Sequence, residues 1–356
     1  MKFIHIADVH LGAVPDSDKP WGKIRAKEIW KAMEHIIDVC NEEEADLLLI
    51  AGDLFHRPPK VRELKELDYL FSKLEKAQVV LMAGNHDYLS LRSNYREFPW
   101  NDRVHMFYSM DSQVMVFPEI NTRVYGLSYL QRDISESLYD DLRPEDENGY
   151  HILLAHGGDE KNIPINKKTL QVSRFDYIAL GHIHKPEIVS DRMAYSGSLE
   201  PLDKNETGKR GYILGNVNKT AEASTKIDIK FIPSSQREYK NIELNIDVTT
   251  TNGALKDLAL EEIRKNGVEN IYIFHIKGLR DPNIHFDYNG LMDLGNVLEV
   301  NDISIPDYDF DRIYKENRYN MIGLFIKKIQ ESKQDDETKN KALYYGIEAL
   351  LEAQEY

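Results

Sequence analysis

The chain has 356 residues, enough to bury a sizeable core and to form two domains. Its 42% hydrophobic and 29% charged residues exclude a low-complexity or fibrous protein, and a net charge of −15 argues against the broad basic face of a non-specific nucleic-acid binder. No run approaches the ~20 apolar residues of a membrane span, the opening MKFIHIADVH reads as a strand rather than a secretory segment, and the one cysteine, Cys40, excludes an intrachain disulfide, so a cytoplasmic chain with no membrane partner is expected.

Taken in order, KFIHIA, a helical stretch, DLLLIAG, a second helical stretch and QVVLMAG make a βαβαβ rhythm, which predicts strands covered by helices. From Val114 strand follows strand: QVMVFPE, TRVYGLSY, YHILLAHGG, FDYIALGH, MAYSGS and RGYILGNV. This half predicts a second, mixed sheet, so the expected fold class is α/β, a two-sheet sandwich flanked by helices over residues 1–235. Residues 236–306 alternate strand and helix as a small α/β unit. Residues 307–356 read as a pair of helices around KQDDET, with Tyr314, Ile322, Phe325 and Ile329 striping the first and Leu343, Ile347 and Leu350 the second. Helices this short need a further surface to cover both stripes.

Five apolar strands end in the same kind of chemistry. IADVHLG supplies Asp8 and His10; IAGDLFHRPP supplies Asp53 and His56; MAGNHDY supplies Asn85, His86 and Asp87; LLAHGG supplies His156; ALGHIHKP supplies His182 and His184. Carboxyl ends of strands are where open α/β sheets hold ligands, and the glycines before Asp53, Asn85 and His182 permit sharp turns there. Imidazole, carboxylate and carboxamide without thiolate form a donor set for manganese, iron or zinc rather than calcium. Asp8, His10, Asp53, Asn85, His156, His182 and His184 are too many for one ion. Two ions about 3.5–4 Å apart would use them all, as a clamp for in-line displacement at phosphorus. Metallated carboxylates also present positive charge to a polyanion despite the acidic sum.

On these blocks the chain resembles the calcineurin-like metallophosphoesterases, whose DxH, GDxx, GNHD/E, lone His and GHxH appear in order. HIADVHLG, AGDLFHRP, GNHDY, GHIHKP and YSGSLEPLD…ETGKRGY are more closely similar to the SbcD-type DNA repair nucleases, over roughly residues 1 to 217. The resemblance implies that Asp8, His10, Asp53 and His184 hold one ion and Asp53, Asn85, His156 and His182 the other. It further implies that His86 faces the scissile phosphate, which places His86, His56 and Asp53 among the catalytic residues. The implied cofactors are two divalent ions, Mn2+ first, with Fe2+, Zn2+ or Mg2+ as alternatives. The implied partners are DNA over the small α/β cap, a second copy of the nuclease, and an SbcC-type SMC-like ATPase docking on residues 307–356. A phosphatase or small-substrate phosphodiesterase on the same fold is the alternative, but protein phosphatases carry GDxVDRG and GNHE where this chain reads GDLFHRPP and GNHD. A catalytically silent scaffold is the second alternative, and no ligand position is substituted.

Asp87 is expected to orient the loop or a ligand rather than bind metal. Lys60, Arg62, Arg92 and Arg96 follow two site loops and are candidates for a DNA backbone, against the ordinary reading of a solvated face.

Overall fold

The structure, a computed structural model, describes residues 1–144, 146, 148–219 and 225–353. The chain divides into two compact units, Met1–Tyr239 and Lys240–Tyr356. The first contains β1 (Lys2–Ile6), α1 (Gly22–Glu42), β2 (Leu47–Ala51), α2 (Val61–Phe71), β3 (Gln78–Met82), β4 (Val104–Met106), β5 (Gln113–Phe117), β6 (Thr122–Gly126), β7 (Tyr150–His156), α3 (Lys167–Gln171), β8 (Tyr177–Gly181), β9 (Glu187–Ser190), β10 (Met193–Tyr195), β11 (Gly211–Lys219) and β12 (Thr225–Pro233). They form two six-stranded sheets, ordered β12-β11-β1-β2-β3-β4 and β5-β6-β7-β8-β10-β9.

Every residue of β2, LLLIA, is buried, as a central parallel strand covered on both faces requires. Leu47, Leu49 and Ala51 point into the core between the sheets, where they join Val124, Ile152, Leu154, Ile178 and Leu180. Leu48 and Ile50 point the other way, to Ile29, Met33 and Ile36 of α1 and Leu64 and Leu67 of α2. The expected sandwich is therefore present. One strand sits elsewhere than its place in the sequence suggests: β11, expected in the second sheet, pairs antiparallel with β1, Lys2 opposite Asn216 and Phe3 opposite Gly215. The Phe3 ring lies so close over Gly215 that a Cβ there would come within 2.0 Å of it. Shape at a residue far along the chain, not local pattern, decided the partner.

The second unit has β13 (Tyr239–Ile246), which begins on the last residue of the first, α4 (Asn252–Asn266), β14 (Ile271–Arg280), α5 (Tyr288–Met292), β15 (Val297–Asp302), β16 (Ile305–Pro306), α6 (Phe310–Glu316), α7 (Met321–Gln330) and α8 (Asp336–Glu352). Tyr272, Phe274 and Ile276 of β14 bury against Leu255, Ala259 and Ile263 of α4. The α/β segment and the helices, expected as separate pieces, fall in one unit, each with its own apolar cluster. The expected helical pair is three helices, because the first breaks between Asn317 and Asn320. Asn320 caps α7 by accepting from the N–H groups of Ile322 and Gly323, leaving Tyr314 on α6. Ile322 and Ile326 pack on Leu343 and Ile347, so the helices cover much of their apolar stripes against one another.

Candidate metal centre

The loops after β1 and β2 lie side by side. The Asp8 N–H donates to the Gly52 carbonyl (3.1 Å), His10 to Asp53 (3.0 Å) and Leu11 to Leu54 (2.9 Å). In this arrangement Asp8, His10 and Asp53 take left-handed backbone, with φ of 51°, 52° and 49°, and His182 does so at 92°. Such conformations cost roughly 1–3 kcal/mol each outside glycine and gather at functional sites. Of the three glycines that precede ligand candidates, only Gly52 has positive φ (85°). Gly84 and Gly181 serve close approach instead: a Cβ would lie 2.3 Å from Asp53 Oδ1 at Gly84 and 1.9 Å from the Ala51 carbonyl oxygen at Gly181.

The side chains collect in three sets, two of which combine carboxylate and imidazole. Ligand atoms of Asp8, His10 and His184 lie within 4.8 Å of one another, as do those of Asp53, His156 and His182 and those of His10, His56 and His86. Asn85 joins the second set, its Oδ1 3.0 Å from His156 Nε2 and 3.2 Å from His182 Nδ1. Asp53 Oδ2 faces both, 3.4 Å from His156 Nε2 and 3.8 Å from His10 Nε2, while its Oδ1 accepts the His86 N–H at 2.8 Å. The Asp8 carboxylate accepts the His182 N–H (2.9 Å), and His10 Nε2 meets His184 Nε2 at 3.1 Å. His156 shares Nδ1 with the Ala51 carbonyl (2.8 Å), which turns Nε2 inward.

Electrostatics favour a cation here. Burial opposes a charge on His156, yet Asp53 and then Asp8 outweigh it and lift the imidazole to about 9. Burial likewise opposes His184, and Glu206 and Asp8 raise it to about 9. Burial pushes Asp8 up to about 6 against the pull of His184. Burial works the same way on Asp53, but His156 and His10 hold it well below the usual carboxylate range. The carboxylates draw protons onto His156 and His184, while burial holds His10 and His182 below the usual imidazole range; the N/O donors without thiolate suit first-row metals.

A sequence profile of the calcineurin-like phosphoesterases matches residues 1–186. The chain belongs to that family. Members of that family are metal-dependent phosphoester hydrolases, and Asp and His groups of this chain lie where they could hold a metal. The chain is similar to the uncharacterized metallophosphoesterase YhaO of Bacillus subtilis (strain 168), 31% identical over 244 residues, 61% of this chain. The aligned part spans 57% of that relative's length. Among solved structures, TT1561 of Thermus thermophilus overlaps 55% of this chain and 89% of its own, with a TM-score of 0.35 and 10% identity.

Beside the ligand sets of this phosphoesterase stand two more imidazoles. The His86 ring lies 4.8 Å from that of His10 and stacks on His56 at 5.4 Å, and its Nδ1 meets the His56 carbonyl at 3.2 Å. His56 Nδ1 is 3.4 Å from His10 Nδ1. Asp87 is wholly buried; it accepts from the N–H groups of Gly84 and Phe55 and from Tyr95 Oη, and so ties the β2 and β3 loops together. Burial, then Asp53, lifts its carboxyl to about 7. Lys60, Arg62 and Arg92 are exposed. Arg96 is exposed too, but its guanidinium donates to the Ser90 and Leu89 carbonyls and braces its own loop. Among the described residues, no helix is long and apolar enough to cross a membrane.

Two carboxylates that contact the candidate site escaped the sequence reading. Glu206 reaches His184 Nδ1 at 2.6 Å and Asp159 reaches His182 Nε2 at 2.7 Å. Asp159 stood three residues after His156 in AHGGD and Glu206 in the ETGKRGY block, and nothing in either spacing says which histidine it meets.

Proposed function

We propose that this phosphoesterase is a DNA nuclease of double-strand-break repair, a 3′–5′ double-strand exonuclease and single-strand endonuclease working with two divalent ions, Mn2+ foremost. The observation that carries the reading is the stacked His56–His86 pair beside His10, in a chain that reads GDLFHRPP and GNHD rather than the protein-phosphatase wording. Asp8, His10, Asp53 and His184 hold one ion; Asp53, Asn85, His156 and His182 hold the other. When bound, the ions supply Lewis-acid activation of water and neutralise charge on the phosphoryl oxygens. Asp53 would be common to both. With Nδ1–H donated to the His56 carbonyl, His86 in its doubly protonated form has an Nε2–H to steady the phosphate, and passing that proton to the leaving 3′ oxygen would leave the neutral ring. His56 supports that ring from its stacked side. Lys60, Arg62 and Arg92 take the DNA backbone.

In the same reading, residues 236–306 position the duplex and residues 307–356 dock an SbcC-type ATPase. The nuclease pairs with a second copy of itself, in the cytoplasm. The test is Mn2+-dependent cleavage of duplex DNA beside hydrolysis of p-nitrophenyl phosphate by the purified chain. Cleaved DNA is the expected result. Hydrolysis of the small ester alone would make the protein a phosphatase, and neither activity would make it a scaffold.

A further inference from the structure

The two histidines of GHIH present opposite ring nitrogens to the site. His182 turns Nδ1 inward, 3.2 Å from Asn85 Oδ1, and gives Nε2 to Asp159. His184 turns Nε2 inward, 3.1 Å from His10 Nε2, and gives Nδ1 to Glu206. A neutral imidazole carries one proton, so the nitrogen that donates to a carboxylate fixes which nitrogen has a lone pair for a metal. Neighbouring histidines are thereby set in opposite tautomers by two different acids.

Both acids are themselves held. Glu206 Oε2 accepts from the Leu202 N–H (3.0 Å) and Ser198 Oγ (3.4 Å), with Arg210 Nε at 3.9 Å. Asp159 Oδ1 accepts from the N–H groups of Lys161 (2.8 Å) and Asn162 (2.9 Å). They differ in their access to water: the Glu206 side chain is 16% exposed and that of Asp159 49%. A contact open to solvent holds its partner less firmly.

We infer that Glu206 and Asp159 are the positioning residues of the two ion sites, Glu206 setting the His184 tautomer for the Asp8–His10–His184 set and Asp159 setting that of His182 for the other. The inference rests on the metal reading above. Because the acids act on different sets, each governs one ion, and Glu206, the more enclosed, governs its ion more strongly.

The test combines Mn2+ titration of the full chain with ring-nitrogen NMR of histidine-labelled protein, the His184 signal being the one lost in His184→Gln. Recorded well above pH 9, where His184 is neutral, the unsubstituted chain should show it protonated at Nδ1. Glu206→Ala should scramble that signal and weaken one of two Mn2+ ions by roughly 10–100-fold, leaving the other unchanged. Glu206→Gln, whose amide oxygen still accepts from Nδ1, should restore both readouts to within a few-fold. Asp159→Ala should weaken the other ion by less than about tenfold, and the double variant should weaken both. Two ions held unchanged by Glu206→Ala, or both weakened equally by it, would overturn the inference alone, as would neutral His184 protonated at Nε2. A chain that takes up no Mn2+ would overturn the metal reading with it.

Discussion

Both compact units are α/β and both set helices against parallel strands, yet among the described residues only the first gathers potential metal ligands. In the first, Asp8, His10, Asp53 and His182 leave their strands in left-handed backbone; in the second, among the described residues, only the glycines Gly267 and Gly278 have positive φ. The potential metal clusters among the described residues likewise fall in the first unit. The second has its share of polar side chains at strands, such as His275 on β14, but pairs them off across the surface, here with Asn241 at 3.0 Å. Parallel strands under helices are a platform. Chemistry comes where strand ends are strained so that several side chains converge on one point.

The sharpest way to break that contrast is at the convergence itself. Asp53→Ala removes a carboxylate that faces both ligand sets, so activity should fall to background and metal analysis should show both ions weakened; two tightly held ions would refute the sharing. His86→Ala should cost about 10²–10⁴-fold in rate with metal content intact. Loss of metal in that variant would make His86 a ligand.

A third test concerns a histidine just short of the site. Burial holds His5, hydrogen-bonded to Tyr177, down to about 3 in the fold, against 6.5 for the free side chain. The neutral form is favoured, so its contribution to stability is complete above about pH 6.5 and is lost as pH falls toward 3, at up to about 1.4 kcal/mol per pH unit. His5→Leu leaves the Tyr177 hydroxyl without this partner and should destabilise by about 1 kcal/mol at neutral pH. Denaturant curves of the two proteins should cross between about pH 7 and pH 5, and parallel curves would show that His5 does not titrate on unfolding.

Smaller effects are expected in the second unit. Cutting before Asp309 removes the Arg280–Glu348 pair, part-exposed and worth about 0–1 kcal/mol. Metal content and cleavage of small substrates should survive, the melting temperature should move by only a few degrees, and pull-down with an SbcC-type ATPase should fail. A collapse in solubility would show the helices to be core. His275→Ala should change stability by under about 0.5 kcal/mol and leave bound metal and rate unaltered.

How much of this was legible beforehand follows from the range of the forces involved. The seven N/O side chains that the structure gathers could be picked out because each sits within a few residues of the strand that delivers it. Glu206 and Asp159 did not, because a carboxylate that reaches a histidine some twenty residues away leaves no spacing to recognise. Arg96 looked like a free cation until its carbonyl partners appeared. Gly84 and Gly181 looked like turn residues, whereas their missing side chains make room for Asp53 and the Ala51 carbonyl. The two-sheet architecture was readable from strand rhythm, but the sheet that β11 joins was not. The break at Asn317–Asn320 was hidden by an apolar periodicity that runs on past it.

The β1–β11 pairing also bears on how the protein is made. Lys2 emerges from the ribosome early and its partner Asn216 late, and at about 5–20 residues per second the interval is roughly 10–40 s. For that time β1, with Asp8 and His10 just beyond its end, has one edge open to any strand that passes. Birth order thus leaves Asp8 and His10 on an unfinished sheet until β11 arrives.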